Sequence, residues 1–146
     1  MSTAFASVVG AVVAALQAAP AVSAQVDRVR LRPIAKESAT AIVVRPLGAD
    51  ADTSVGQGVV GIWATSVTVE CYARSGASVS PDVAVDTLLQ DAATRLYQNR
   101  SLGGLVGDLT LSTVAYDFDV DGDNTACVTL TYQIRHATAA GSLLPT

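Results

Sequence analysis

The chain is poor in the groups that most enzymes and nucleic-acid binders use. Among 146 residues it has one lysine, Lys36, and one histidine, His136. Charged residues make up 15% of it, aromatics 5%, and the formal net charge is −4. So few bases argue against a nucleic-acid footprint, which needs Lys and Arg to replace phosphate counterions. A serine or cysteine nucleophile needs a base. His136 stands at a strand end beside Arg135 and reads as a surface residue. The two cysteines, Cys71 and Cys127, lack the spacing of a metal site or redox pair. Their strand-like context favours buried thiols and leaves a disulfide as the other option.

What the chain has is apolar surface. Half its residues are hydrophobic, and the length suits one domain spanning residues 1–146. The low charge fraction argues against disorder. It also suggests that part of the surface is covered by something other than water.

Residues 1–26 carry no charge. Phe5, Val8, Val9, Val12 and Leu16 recur at helical spacing, which predicts an N-terminal helix within residues 1–24 that Pro20 ends. A secretory leader is the competing reading, but the basic residues that open one are missing. The apolar run is also shorter than the roughly 20 residues that span a bilayer, so no membrane role is expected.

Beyond the helix, "VDRVRLRPI" (26–34) alternates as a half-buried strand, and "TAIVVRPL" (40–47) reads as a second strand ended by Pro46. Residues 48–61 are polar and glycine-rich, and predict a long flexible loop. "IWATSVTVECYAR" (62–74) is the clearest strand, with Trp63, Thr65, Val67, Val69 and Cys71 on one face. Ser80, Pro81 and Asp82 start a second helix that runs to about Asn99, with a buried stripe of Ala84, Leu88, Leu89, Ala92 and Leu96 and a possible Asp91–Arg95 pair. Residues 109–119 and 126–136 form a strand hairpin, and residues 137–146 read as a loose tail. The order predicts an α+β fold: a mainly antiparallel sheet with two helices packed on one face.

The hairpin tip "YDFDVDGDN" resembles the start of a calcium loop. With Asp117 as position 1 of an EF-hand, position 12 is Val128 rather than glutamate, and strands flank the loop instead of helices. Asp117, Asp119, Asp121 and Asp123 stay candidate ligands of a different calcium site. Alternating strand residues share a face but do not wrap an ion, which favours a solvated turn. Residues 108–123 hold five aspartates and no base, whereas residues 25–46 hold five bases and two acids. If these segments lie on opposite flanks, copies can meet head to tail and close into rings. Arg28, Arg30 and Arg32 facing Asp117, Asp119 and Asp121 are the candidate interface. An acid-based hydrolase using Glu70 or the hairpin acids is the enzymatic alternative.

Taken together, "ALQAAPAV", "RVRLRPI", "TAIVVRPLG", "SVTVECYAR", "VAVDTLLQDAATRLYQ" and "VTLTYQIRHAT" resemble, in order and pattern, the tail terminator proteins of long-tailed bacteriophages and the similar minor tail and tail-completion proteins. The resemblance covers roughly residues 4–138. It implies a small α+β virion protein without catalytic residues or cofactor. It implies a hexameric ring that caps the tail tube, ends its polymerisation and joins the tail to neck or head-completion proteins. Such a ring is assembled in the host cytoplasm, sits at the tube–neck junction and lets genomic DNA pass without gripping it. The 48–61 loop, with Asp50, Asp52, Gly56 and Gly58, is the expected tube-docking element. A neck or connector protein of similar fold, and a secreted calcium-binding domain starting near Gln25, are the alternatives.

Overall fold

The computed structural model describes residues 2–29, 39–54, 60–75, 79–120 and 125–146. Helix α1 (Ala4–Gln17) is followed by strands β1 (Val26–Arg28), β2 (Thr40–Ala51) and β3 (Val60–Arg74), helix α2 (Pro81–Tyr97), and strands β4 (Asp108–Val120) and β5 (Thr125–Ala139). The strands form one sheet in the order β1-β2-β3-β5-β4. All neighbours pair antiparallel except β1 and β2, which are parallel. This is the α+β architecture that the strand and helix order predicts.

Both helices lie on one face. Val8, Val9, Val12 and Leu16 of α1 and Val85, Leu88, Ala92 and Leu96 of α2 meet the sheet row by row, against Ile42, Val44, Val67, Val69, Val128, Leu130 and Ile134. The period-two alternation of the strands sends Ile42, Val44, Val67 and Val69 toward the helices, while Ala41, Val43, Tyr72 and Cys127 form a second buried cluster on the other face. In α2 the buried stripe includes Val85, while Ala84 and Leu89 are only partly buried.

Several boundaries differ from the sequence reading. The 26–34 strand is described only as far as Arg28, and Val29 turns out of it with φ of 48°. Parallel neighbours cannot be joined by a tight hairpin, and the connection over residues 29–39 has about the dozen residues a crossover needs. Pro46 does not end β2. It sits on the strand's open edge, beside a register shift between Pro46 and Gly48, where its missing N–H costs no ladder bond. Both ends of the expected 48–61 loop are strand: residues 48–51 continue β2, and Val60 and Gly61 open β3. Gly61 is required there. A Cβ on it would come within 2.6 Å of Thr138 Oγ1 and 3.0 Å of Trp63 Nε1.

The tail is tied rather than loose. Residues 137–139 extend β5, Leu143 C=O accepts from Ala4 N–H at 2.8 Å, and Leu144 C=O accepts from Ala139 N–H at 2.9 Å. His136, expected at the surface, is 4% exposed. Its Nε2 lies 2.6 Å from Thr65 Oγ1, and Phe5 packs edge-on against both it and Trp63 at centroid distances of 5.4 and 5.2 Å. The sequence reading missed this because strand β5 continues three residues past His136, which places it inside the sheet. Cys71 and Cys127 are both buried free thiols. They pair with Val128 and Tyr72 respectively, and so point to opposite faces. Burial raises the Cys71 thiol to about 12.

Arg95 does not serve an Asp91 pair. Its guanidinium crosses to the other helix and donates to the carbonyls of Ala15 at 2.9 Å, Ala18 at 2.8 Å and Pro20 at 2.5 Å. Those are orphan carbonyls at the end of α1, so one side chain caps one helix and ties it to the other. Arg95→Ala is expected to cost about 1–3 kcal/mol, with only partial recovery in Arg95→Lys, which lacks the fork. The check is a lower urea midpoint at unchanged slope.

A second expectation concerns pH. Burial holds the His136 imidazole below its ordinary value of 6.5, and its Nδ1 has no hydrogen-bond partner among the described residues. The folded state then binds fewer protons than the unfolded chain as pH falls through 6.5, so stability drops there and levels off once folded His136 itself protonates. Urea unfolding at about pH 7.5 and about pH 5.5 should show a steeper decline for the wild type than for His136→Gln. Equal declines would contradict the assignment.

Candidate assembly interface

The two edges of the sheet are unlike. At one edge β1 is three residues long, and the exposed part of β2 beyond it carries Pro46 and a register shift. Short strands, proline and bulges blunt an edge against unwanted pairing. At the other edge β4 is thirteen residues long and contains no proline or lysine, although its register also shifts between Leu111 and Thr113 and between Asp117 and Val120. Residues 110–118 of β4 are exposed throughout, which means that both faces of this strand are open, unlike those of its neighbour β5.

On the helix side β4 carries a row of large apolar groups. Leu111, Val114 and Tyr116 sit opposite Tyr132, Leu130 and Val128, all core residues, so the ladder points them to the core face. Yet Leu111, Val114, Tyr116 and Phe118 are 40, 44, 51 and 48% exposed. Phe118 stacks on Tyr116 at 6.0 Å. The cause is the position of α2, which packs chiefly on β3 and β5 and only marginally reaches β4. Between α2 and β4 runs a groove. Asp82, Val83 and Asp86 face Tyr116 and Phe118 at one end, and Gln90, Thr94 and Tyr97 face Leu109 and Leu111 at the other. Covering the exposed halves of the four β4 side chains is worth about 3–6 kcal/mol in transfer terms. A contiguous apolar patch of this kind marks an interaction surface. Tyr97 is 71% exposed at the rim of this groove, with the Arg100 guanidinium 5.7 Å from its ring centre.

The charged candidates divide between these edges. Arg28 lies on β1, where its Nη2 donates to Ala6 C=O at 3.0 Å and its Nη1 comes within 3.5 Å of where a Gly10 Cβ would stand. Its charge is thus held against the outer flank of α1. Asp117 lies exposed on β4, at the opposite edge of the sheet. Asp119 is in the same strand. Arg30, Arg32, Asp121 and Asp123 lie outside the described residues, as do Gly56 and Gly58 of the expected docking loop. Among the described residues no group of three or more acids, histidines or cysteines is arranged to hold a metal ion.

Asp50 and Asp52 stand at the β2–β3 connection rather than in a free loop. Asp50 is paired with Ala64 across the ladder, and the Asp52 carboxylate meets Arg135 Nη2 at 3.2 Å. Hydrogen bonds from Ser54, more than Arg135, hold that carboxyl below its usual range. Glu70 is fully engaged. Its Oε1 accepts from the Tyr72 hydroxyl at 2.7 Å, and its Oε2 lies 2.7 Å from Arg45 Nε. The contact with Arg45 is an ion pair without hydrogen-bond alignment.

Neither the exposed β4 stripe nor the mismatch of the edges was found from sequence. The signal was present: Leu111, Val114, Tyr116 and Phe118 are apolar in a strand beside a helix too far away to cover it. Only the strand order makes that visible.

No protein-family model matches the chain, and no curated protein does. Solved structures do resemble it. A chain of the virion of a native gene transfer agent particle is 12% identical, with a TM-score of 0.51 over 87% of this chain and 92% of that one. The sheath/tube terminator of an extracellular contractile injection system, in its extended state, is 14% identical over 95% of this chain and 59% of that one, with a TM-score of 0.42. At 12% identity the first likeness is one of fold, and that fold is shared along nearly the whole of both chains.

Proposed function

We propose that the chain is a structural protein of a phage-like tail, acting as a terminator. Copies associate head to tail into a closed ring, expected to be a hexamer, that caps the tail tube, ends its growth and joins it to a neck or head-completion protein. The observation that carries this reading is the fold shared with a virion chain over 87% of this protein. The unlike edges of the sheet support it. A surface that does not match itself but matches a different surface of the same molecule makes heterologous contacts, and these close into rings when the rotation permits. The role is one of assembly, without catalysis or cofactor. An acidic protein, with net charge −4, also suits a channel wall that must release DNA, since like charge repels the backbone. Asp50 and Asp52, with Gly56 and Gly58, are proposed to meet the tube.

Sedimentation and negative-stain imaging of the purified chain test the reading. Rings that form with rising concentration are expected. Glutamate at Arg28, Arg30 and Arg32 together is expected to disperse them, because it removes the basic half of the contact. A strictly monomeric wild type contradicts the proposal, and an unaltered triple variant contradicts the charge pairing.

A further inference from the structure

Resting on that head-to-tail reading, we infer that the apolar stripe of β4 is the seat for a second copy of this chain, which lays its β1 edge and the outer flank of its α1 against β4. The strand directions permit it. β1 runs parallel to β2, β2 antiparallel to β3, β3 to β5 and β5 to β4, so β1 and β4 of one molecule point in opposite directions. A neighbour placed beside β4 in the same orientation therefore presents β1 antiparallel to it, and its helices stay on the same side of the sheet.

The rows also match. Arg28 shares a row with Val44, Val69, Leu130 and Val114. Two and four residues along β4 from Val114, on that same side of the sheet, Tyr116 and Phe118 face Asp82 and Asp86 of α2. A neighbour displaced by the width of one sheet thus brings its anchored Arg28 toward an acidic border. Its α1, which contains no charged residue, arrives alongside the stripe. The flank of α1 beside Arg28 carries Ser7, Gly10, Ala14 and Gln17 by the helical repeat. Small uncharged side chains there allow close approach to Val114 and Tyr116. A two-fold pairing of β4 with β4 fits less well. It brings two apolar stripes side by side and leaves the basic β1 edge of each copy unused.

The test is sedimentation of four exposed-site variants, each checked for unchanged circular dichroism and melting. Val114→Glu with Tyr116→Glu should raise the concentration for half-assembly by about tenfold or more. Arg28→Glu should do the same, and Arg28→Glu with Asp86→Arg should restore assembly. Asp86→Arg alone should weaken it. Rings that survive the β4 double variant while the Arg28, Arg30, Arg32 triple variant disperses them would leave the ring reading standing and overturn this seat. Failure of Asp86→Arg to rescue Arg28→Glu overturns it as well. So do closed dimers indifferent to Arg28→Glu. A wild type that stays monomeric at millimolar concentration overturns both readings.

Discussion

A helix packed on a sheet covers about two strands, because helices lie about 8–10 Å apart and strands about 4.8 Å apart. Two helices therefore cover four strands. Among the described residues this sheet has five. The shortfall falls at one edge: α1 lies over β1 and β2, α2 lies over β3 and β5, and β4 is left without a cover on its core-facing side. Its residues there are nevertheless those of a core. Tyr116 and Val114 continue the apolar rows that run across the sheet from Ile42 and Val44, and Leu111 continues the row of Val67 and Tyr132. The subunit is built as though another helix belonged beside α2.

What holds the existing layer in place is concentrated at two points. At one end of α1, Phe5 packs on Trp63 and buried His136, with Trp63 Nε1 donating to Thr138 Oγ1 at 3.1 Å. At the other end Arg95 gathers three carbonyls. Hydrogen bonds to a charged donor are among the stronger ones. The layer is pinned at both ends, so α1 does not slide along the sheet toward the space over β4. Pinning also fixes Arg28, whose guanidinium leans on the Ala6 carbonyl. A charge held in place at an edge loses less freedom on binding than a free side chain would.

Elements with strong local signals were legible in the sequence. The alternation of Val67, Val69 and Cys71, the Ser80–Pro81 start of α2 and the apolar spacing of α1 each depend on near neighbours, and the structure has them where that spacing puts them. Long-range facts were not legible. The parallel pairing of β1 with β2, the burial of His136, the reach of Arg95 to α1 and the bare side of β4 depend on which strands lie next to each other. No local pattern encodes that order. Pro46 misled for a related reason: proline excludes a central strand, but β2 is open on the side where Pro46 sits. Of the candidate interface residues, Arg28 and Asp117 lie at opposite edges of the sheet and on opposite faces of it.

The central claim is that an identical neighbour covers the exposed edge and apolar stripe of β4. Hydrogen exchange read peptide by peptide tests it most directly, comparing assembled wild-type protein with the same protein diluted to monomers. The account predicts that amides of residues 110–118 slow markedly on assembly, while those of residues 85–96 in α2, already covered, change little. Equal exchange of residues 110–118 in rings and monomers would contradict it.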